Sequence, residues 1–420
     1  MLMQHRIFHG WFLILAIVGG ACQNDSVSPA AEEPVLRELS VAENELVTSV
    51  NTFAFDLIRD LAERRPQDNV FLSPYSINLA LSMTMNGATS TTLSSLHRGL
   101  EHEVMTPREI NKSYSELTPF LQQLDPQVDF TLATALWYDR RLHTQPLSED
   151  ILSAYYQAHV SDLAFGRRKS PDIINKWVKE QTNGHIEDFV EELDPDASMY
   201  VTSAVQFSGD WTVPFRKENT VPGTFYLPDG TEVTTDMMVA ARAQYRFLQD
   251  ESKTIIDIPY GNQQYSMTLL MPNQDSLLSL VRSLDTTSFR GYLAQLDTVN
   301  SSLYLPSFTI DYQASLKPTL SRLGMGVAFG DSANFNQLFI DPPSSVPLSD
   351  VLHRAVITVN EAGTEAITST VTQAQGIKVA NSVHVDRSFL FFIRENHTGV
   401  IVFAGRLNHP SPVAKPFPVN

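Results

Sequence analysis

The sequence predicts an α+β fold, because segments with a helical apolar period come early, strand-like runs come late, and no regular strand–helix alternation links them. Residues 51–63 place Phe53, Phe55, Leu57, Ile58 and Leu61 at broadly helical spacing, and residues 76–86 do the same with Ile77, Leu79, Leu81, Met83 and Met85. Strand-like runs follow at 130–138, 199–207, 254–259, 265–271, 302–306 and 355–359. The runs 389–394 and 399–405 are joined by Glu395-Asn396-His397-Thr398, a turn-rich tetrapeptide that predicts a terminal hairpin. Length alone would allow two or three domains. No later stretch resembles an interdomain linker, so one large domain is expected over residues 47–412.

The first 21 residues read as an export signal: His5, Arg6 and His9 precede an apolar run over 11–18, and Gly19, Gly20 and Ala21 are small enough for a cleavage site. That run is too short to span a bilayer as a stable helix. Cys22, the single cysteine, follows the small residues directly and resembles the lipidated cysteine of a bacterial lipobox, although Gly19 stands where an aliphatic residue is usual. The expectation is an exported, membrane-anchored lipoprotein, periplasmic or at the cell surface; a plain signal peptide and a secreted protein are the alternative. Residues 22–46 lack apolar periodicity at first and read as a tether.

One cysteine allows no internal disulfide, so the fold must be held by its core, and 43% hydrophobic residues over 420 positions supply one. Removing Arg6, the one Lys or Arg before Cys22, takes the formal charge from −17 to −18. Such acidity argues against nucleic acid or an anionic membrane surface as partner, and keeps an exported protein soluble.

No enzyme constellation is present: there is no HExxH, no phosphate loop, no G-x-S-x-G elbow and no paired cysteines. His97 and His102 lack ligands at metal spacing and read as a solvated helix end or loop. His353, beside an apolar strand, reads as a buried structural group rather than a general base. Arg167-Arg168-Lys169 reads as a solvated turn. No metal or cofactor is expected.

After the buried-type strand the chain changes character. From Ala366 to Gly376 there is neither charge nor proline, and positions 364, 366, 368, 370, 372 and 374 are Thr, Ala, Thr, Thr, Thr and Ala. A uniformly small face with β-branched residues suits a strand that slots into an existing sheet over a packed core. A permanently paired strand, the competing reading, would carry a larger and more apolar inward face. Gly363 is expected to be the pivot, since without a Cβ the chain reverses at little steric cost.

At these residues the sequence resembles the serpin family. Residues 69–76 (NVFLSPYS) are similar to its N-[IV]-F-x-S-P-x-S helix entry. Residues 175–186 (NKWVKEQTNGHI) resemble its N-x-W-V-x-x-x-T-x-x-K-I stretch, with His185 where Lys is common. Residues 205–215 resemble the A-x-x-F-x-G-x-W-x-x-x-F strand and turn. His353-Arg354-Ala355 and residues 361–366 resemble the strand and hinge before the reactive loop, and 389–410 its closing hairpin.

The resemblance implies three β-sheets with eight or nine helices and an exposed reactive-centre loop, with hinge and loop at 361–389. It implies a monomeric inhibitor, not an enzyme: a serine or cysteine protease attacks the loop, forms an acyl-enzyme, and is trapped when the cut loop inserts as a new central strand. The implied hinge is Glu361, Gly363, Thr364, Glu365, Ala366 and Thr368. The implied sheet-opening cluster is Ser73, Ser76, Ser203 and His353, with Trp211 at the breach. Family spacing places the scissile bond between Ile377 and Lys378, which suggests elastase-like proteases. Cleavage after Lys378 is the runner-up and would suit a trypsin-like one, and subtilisin-like targets stay open. Ser203 replaces a common Asn and so loses reach, Ser307 replaces a Lys that would pair with Glu361, and Ser388 replaces a common Pro. A non-inhibitory serpin, acting as substrate, carrier or chaperone, is the alternative.

Overall fold

The computed structural model describes residues 36–274, 276–364 and 382–411. Within them lie nine α-helices and two hydrogen-bonded sheets, of nine and six strands, which bears out the α+β class.

The first helix is Val41–Arg64, capped by a Ser40 hydroxyl that accepts from the Glu43 amide while the Glu43 carboxylate accepts from the Ser40 amide. It starts well ahead of the apolar stripe because its first turn is polar, yet Glu43 is buried and ion-paired with Arg37. The expected tether over 22–46 is therefore corrected: residues 37–46 belong to the folded body, which begins ahead of Val47. The helix Pro74–Met85 is buried along its whole length and packs against the strands Met199–Asp210 and Ile401–Leu407.

The smaller sheet runs in the order Phe308–Ser315, Leu348–Val359, Gly363–Thr364, Met199–Asp210, Val128–Asp139, His159–Leu163. Below the two-residue strand Gly363–Thr364, the strands Leu348–Val359 and Met199–Asp210 pair directly and in parallel, His353 opposite Ser203. Alternate residues of these strands, among them Val201, Val205, Phe207, Val351 and Ile357, enter the main core shared with the helix Pro74–Met85 and the larger sheet. Tyr200 and Ala204 point the other way, into a second core under the helix Ser170–Gln181 with Trp137, Ile174 and Val178.

The three expected sheets take the form of two because one long strand, Glu232–Gln249, belongs to both halves of the larger sheet. Its first half pairs with Val221–Tyr226, and its end pairs with Lys253–Tyr260. A register shift between Ala240 and Ala243, where it pairs with Asp297–Pro306, marks the join. The terminal hairpin is present as Phe389–Glu395 and Ile401–Leu407. Its second strand starts two residues later than expected because Gly399 takes a left-handed φ of 74°.

Candidate functional site

The site is built where the strand Leu348–Val359 ends. Asn360 reverses the chain: its Oδ1 accepts from the Ala362 amide at 3.0 Å and the Gly363 amide at 3.3 Å, and its own amide donates to Gly363 O at 2.9 Å. The chain then re-enters the sheet, with Gly363 opposite Asp210 and Thr364 between Gly209 and Val359. Gly363 is thus not the pivot. It has no left-handed φ, and glycine is required because a Cβ would come within 2.2 Å of Gly209 O and 2.7 Å of the Asp210 Cα.

Trp211 grips this turn. Its amide donates to Ala362 O at 2.9 Å and its indole Nε1 to Asn360 O at 3.0 Å, while the ring stacks on Tyr260 with centroids 4.4 Å apart. The Tyr260 and Thr364 hydroxyls share a hydrogen bond of 2.8 Å, and Thr364 is fully buried. Burial pushes the Tyr260 hydroxyl far above its ordinary range, so it stays neutral. Thr220 Oγ1 donates to the Glu361 carboxylate at 2.6 Å, and the Phe215 amide to Glu361 O at 2.8 Å. Ser307 instead bonds Asp236 O through its amide and hydroxyl.

Glu365, Ala366, Thr368, Ile377 and Lys378 lie outside the described residues, as does Cys22. The described chain resumes at Ser382, which lies in the larger sheet. Ser382–His384 pairs in parallel with 302–304, His384 stacks on Tyr304 at 4.1 Å, and the Tyr226 amide donates to Asp386 O at 2.7 Å.

Beneath the hinge the structure brings the four cluster residues together, all fully enclosed. Ser76 Oγ lies 2.6 Å from Ser203 Oγ, which lies 3.1 Å from His353 Nδ1, and the Ser73 amide donates to His353 Nε2 at 3.2 Å. The expected loss of reach at Ser203 is therefore corrected: close packing of the helix Pro74–Met85 lets a short hydroxyl touch both neighbours. Since an amide can only donate, Nε2 is the acceptor and the imidazole proton sits on Nδ1. Burial pushes His353 down to about 3, which keeps it neutral.

His102 is corrected too. It is fully buried rather than solvated, and its Nε2 meets Asn78 Oδ1 at 2.8 Å and Ser82 Oγ at 3.0 Å. Arg167, Arg168 and Lys169 are exposed in a turn, as expected. No cluster of potential metal ligands occurs among the described residues. No helix among them is long and apolar enough to cross a membrane. A cleft of about 490 Å³ lies apart from the hinge, lined by Tyr226, Leu277, Leu278, Val281, Arg387 and Ser388. Ser388 is buried, and its hydroxyl lacks a hydrogen-bond partner.

Comparison with known proteins agrees with this geometry. The family model described as Serpin (serine protease inhibitor) matches residues 48–410. Iripin-5 of Ixodes ricinus is 31% identical over 377 residues, spanning 87% of this chain and 95% of that protein. A serpin-like protein of Thermococcus kodakarensis is 28% identical over 92% of this chain and 90% of its own length. Among solved structures, the thermophilic serpin tengpin in its native state superposes with a TM-score of 0.79 at 26% identity, covering 90% of this chain and 97% of that one. Human thyroxine-binding globulin complexed with thyroxine gives 0.82 at 24% identity, covering 88% and 100%, a likeness of fold. With the family model spanning residues 48–410 and a relative 31% identical over most of both chains, the chain belongs to the serpins, a family described as serine protease inhibitors.

Proposed function

We propose that this chain is an inhibitory serpin, in which a serine protease acylates itself on the segment between Thr364 and Ser382 and is carried off as the cut segment enters the smaller sheet. The observation that carries this reading is Gly363 and Thr364, already paired between the strands Met199–Asp210 and Leu348–Val359. Below them those strands touch along a parallel seam, and this is where a further strand enters. Continuing the register from Thr364 and Gly209 brings Ala374 opposite Met199, where that strand begins. The small residues at even positions then share the inward face of Thr364, over the main core.

Magnitudes favour the transition. Residues 365–374 would form about twenty ladder hydrogen bonds and displace about ten of the parallel seam, a net gain on the order of ten kcal/mol at about 1 kcal/mol each. That is comparable with the whole stability of an ordinary domain. The chain from Thr364 to Ile377 then extends about 40 Å down the sheet. Such a pull draws the acylated serine of the protease away from its histidine and oxyanion donors, which disables deacylation.

The proposed cut lies between Ile377 and Lys378, just past the point where the insertable segment runs out, with cleavage after Lys378 as runner-up. Elastase-like targets fit the first bond, trypsin-like the second. Mixing the protein with pancreatic elastase, neutrophil elastase, trypsin and subtilisin is expected to give a detergent-resistant covalent complex with at least one, and the mass of the released C-terminal peptide locates the cut. Cleavage without complex by all four leaves the non-inhibitory reading, a substrate, carrier or chaperone, with the cleft at Arg387 as its candidate binding site.

We further propose that the chain is an exported monomer tethered through a lipid on Cys22. Labelled palmitate is expected to enter the wild-type protein expressed in a bacterium and not Cys22→Ser; equal labelling of both rules the anchor out.

A further inference from the structure

We infer that the cleft between the end of the first helix and the helix Leu277–Ser283 binds a small amphipathic carboxylate, an apolar body ending in one carboxylate group. None of its walls belongs to the smaller sheet, so the site serves an inhibitor and a non-inhibitor alike.

The cleft's volume of about 490 Å³ falls in the range of small-molecule sites. Leu277, Leu278 and Val281 line it from one helix, and Ala62, Leu227 and Pro272 from three other parts of the chain. Such a lining takes an apolar body.

The polar groups gather where the terminal hairpin begins. Leu390 lies opposite Arg406 and Phe389 opposite Leu407, so Ser388 and Asn408 are the next residues outward, and Ser388, Arg406 and Asn408 all line the cleft. That wall is fixed before anything binds. Arg406 Nε and Nη2 donate to Asp68 O at 3.1 and 2.8 Å, and Asn408 Nδ2 donates to Pro66 O at 2.8 Å and to Asp68 O at 3.1 Å. Ser388 is only 7% exposed, and its Oγ has no hydrogen-bond partner. A buried hydroxyl left in that state is destabilising until a ligand satisfies it, and it can donate to a carboxylate.

Charge selects the ligand's sign. The chain carries 47 acidic residues against 30 Lys and Arg, yet two arginines and no acidic side chain line the cleft. The carbonyls that Arg406 meets are neutral, and burial holds its guanidinium below its ordinary pKa. Asp68, the acid beside it, faces Arg65 at 3.8 Å. Arg387 gives its Nε to Asp386 at 2.9 Å and keeps its terminal nitrogens for a ligand. A carboxylate accepts two bonds from such a fork. An anion here therefore compensates both cations and the Ser388 hydroxyl together, whereas an uncharged body compensates neither cation.

The test is calorimetric titration of the full chain at neutral pH with decanoate, below its micellar concentration, and with decanol, the same body without the charge. Decanoate is expected to fill one site, with decanol at least about tenfold weaker. Arg387→Gln, at a half-exposed position, should weaken decanoate about tenfold and leave decanol unchanged. Ser388→Ala should weaken decanoate severalfold, and Leu278→Trp, which fills the cleft from a partly buried position, should abolish binding of both. Urea midpoints check that each variant folds, and the comparison of decanoate with decanol on wild type needs no variant at all. No binding of decanoate overturns the proposal, as does equal affinity for decanoate and decanol. Decanoate binding undiminished in Arg387→Gln, Ser388→Ala and Leu278→Trp puts the ligand elsewhere and overturns it too.

Discussion

His353 and His102 are both fully enclosed, and burial pushes both imidazoles down to about 3. Both hold the helix Pro74–Met85: His353 accepts from the amide of its cap residue Ser73, and His102 bonds Asn78 and Ser82 on its flank. In the unfolded chain a histidine titrates near 6.5, so between about pH 6.5 and 3 the unfolded state binds more protons than the folded one. Stability is therefore full above about pH 6.5 and falls with acidification, by up to about 1.4 kcal/mol per pH unit for each group. Carboxylates held below their usual range, such as Asp60 and Glu43, lose their contribution only in more acid solution. The expected result is a urea midpoint that declines steadily from about pH 7 to about pH 5, with a shallower decline in His102→Gln. A flat profile across that window would show that neither imidazole is held neutral. The burial of His353 was legible from its apolar neighbours, whereas that of His102 was not, because its partners come from a helix folded back onto it. The packing reason for Gly363 was equally hidden, since it depends on the backbone of Gly209, distant in sequence.

Elements were legible in proportion to how far their own sequence encodes one buried face. The strands around 199–207 and 265–271 are nearly continuous apolar runs, and the observed strands Met199–Asp210 and Tyr265–Pro272 contain them. The helix Pro107–Gln123 is legible too: a capping box of Thr106 and Glu109 opens it, and Ile110, Tyr114, Leu117 and Leu121 fall at helical spacing on its buried face. Glu232–Gln249 escaped notice because one half sits at an edge with alternate residues exposed and the other half runs into a different neighbourhood. The small-residue face at even positions from 364 to 374 was the clearest functional signal, because it contradicts what either a surface loop or a permanent strand requires. What the sequence could not supply is that Gly363 and Thr364 are paired within the sheet. That depends on the geometry of the Asn360 turn and on the stack of Trp211 with Tyr260, which seat Thr364 in the sheet.

At the scale of the whole molecule, the start of the chain's folded body is tied to elements remote in sequence. The Arg37 guanidinium pairs with Glu43 and lies 4.8 Å over the Phe120 ring, and His397 Nε2 in the terminal hairpin turn donates to Arg37 O at 2.7 Å. One short segment thus joins the first helix, the end of the helix Pro107–Gln123 and the closing hairpin. Glu43 is almost wholly buried, so removing Arg37 and Ser40 leaves a carboxylate without its cation and a helix without its cap. A lost cap costs about 1 kcal/mol, and a buried charged group left unsatisfied about 1–3 kcal/mol more. A chain beginning at Leu36 is therefore expected to match the full-length chain in urea midpoint. One beginning at Val41 should be less stable by about 2–4 kcal/mol. Beginning at Val47 should cost more again, because it also deletes Leu46 from the core. Equal midpoints for the chains starting at Leu36 and Val41 would return residues 37–40 to the tether and detach the clamp from the fold.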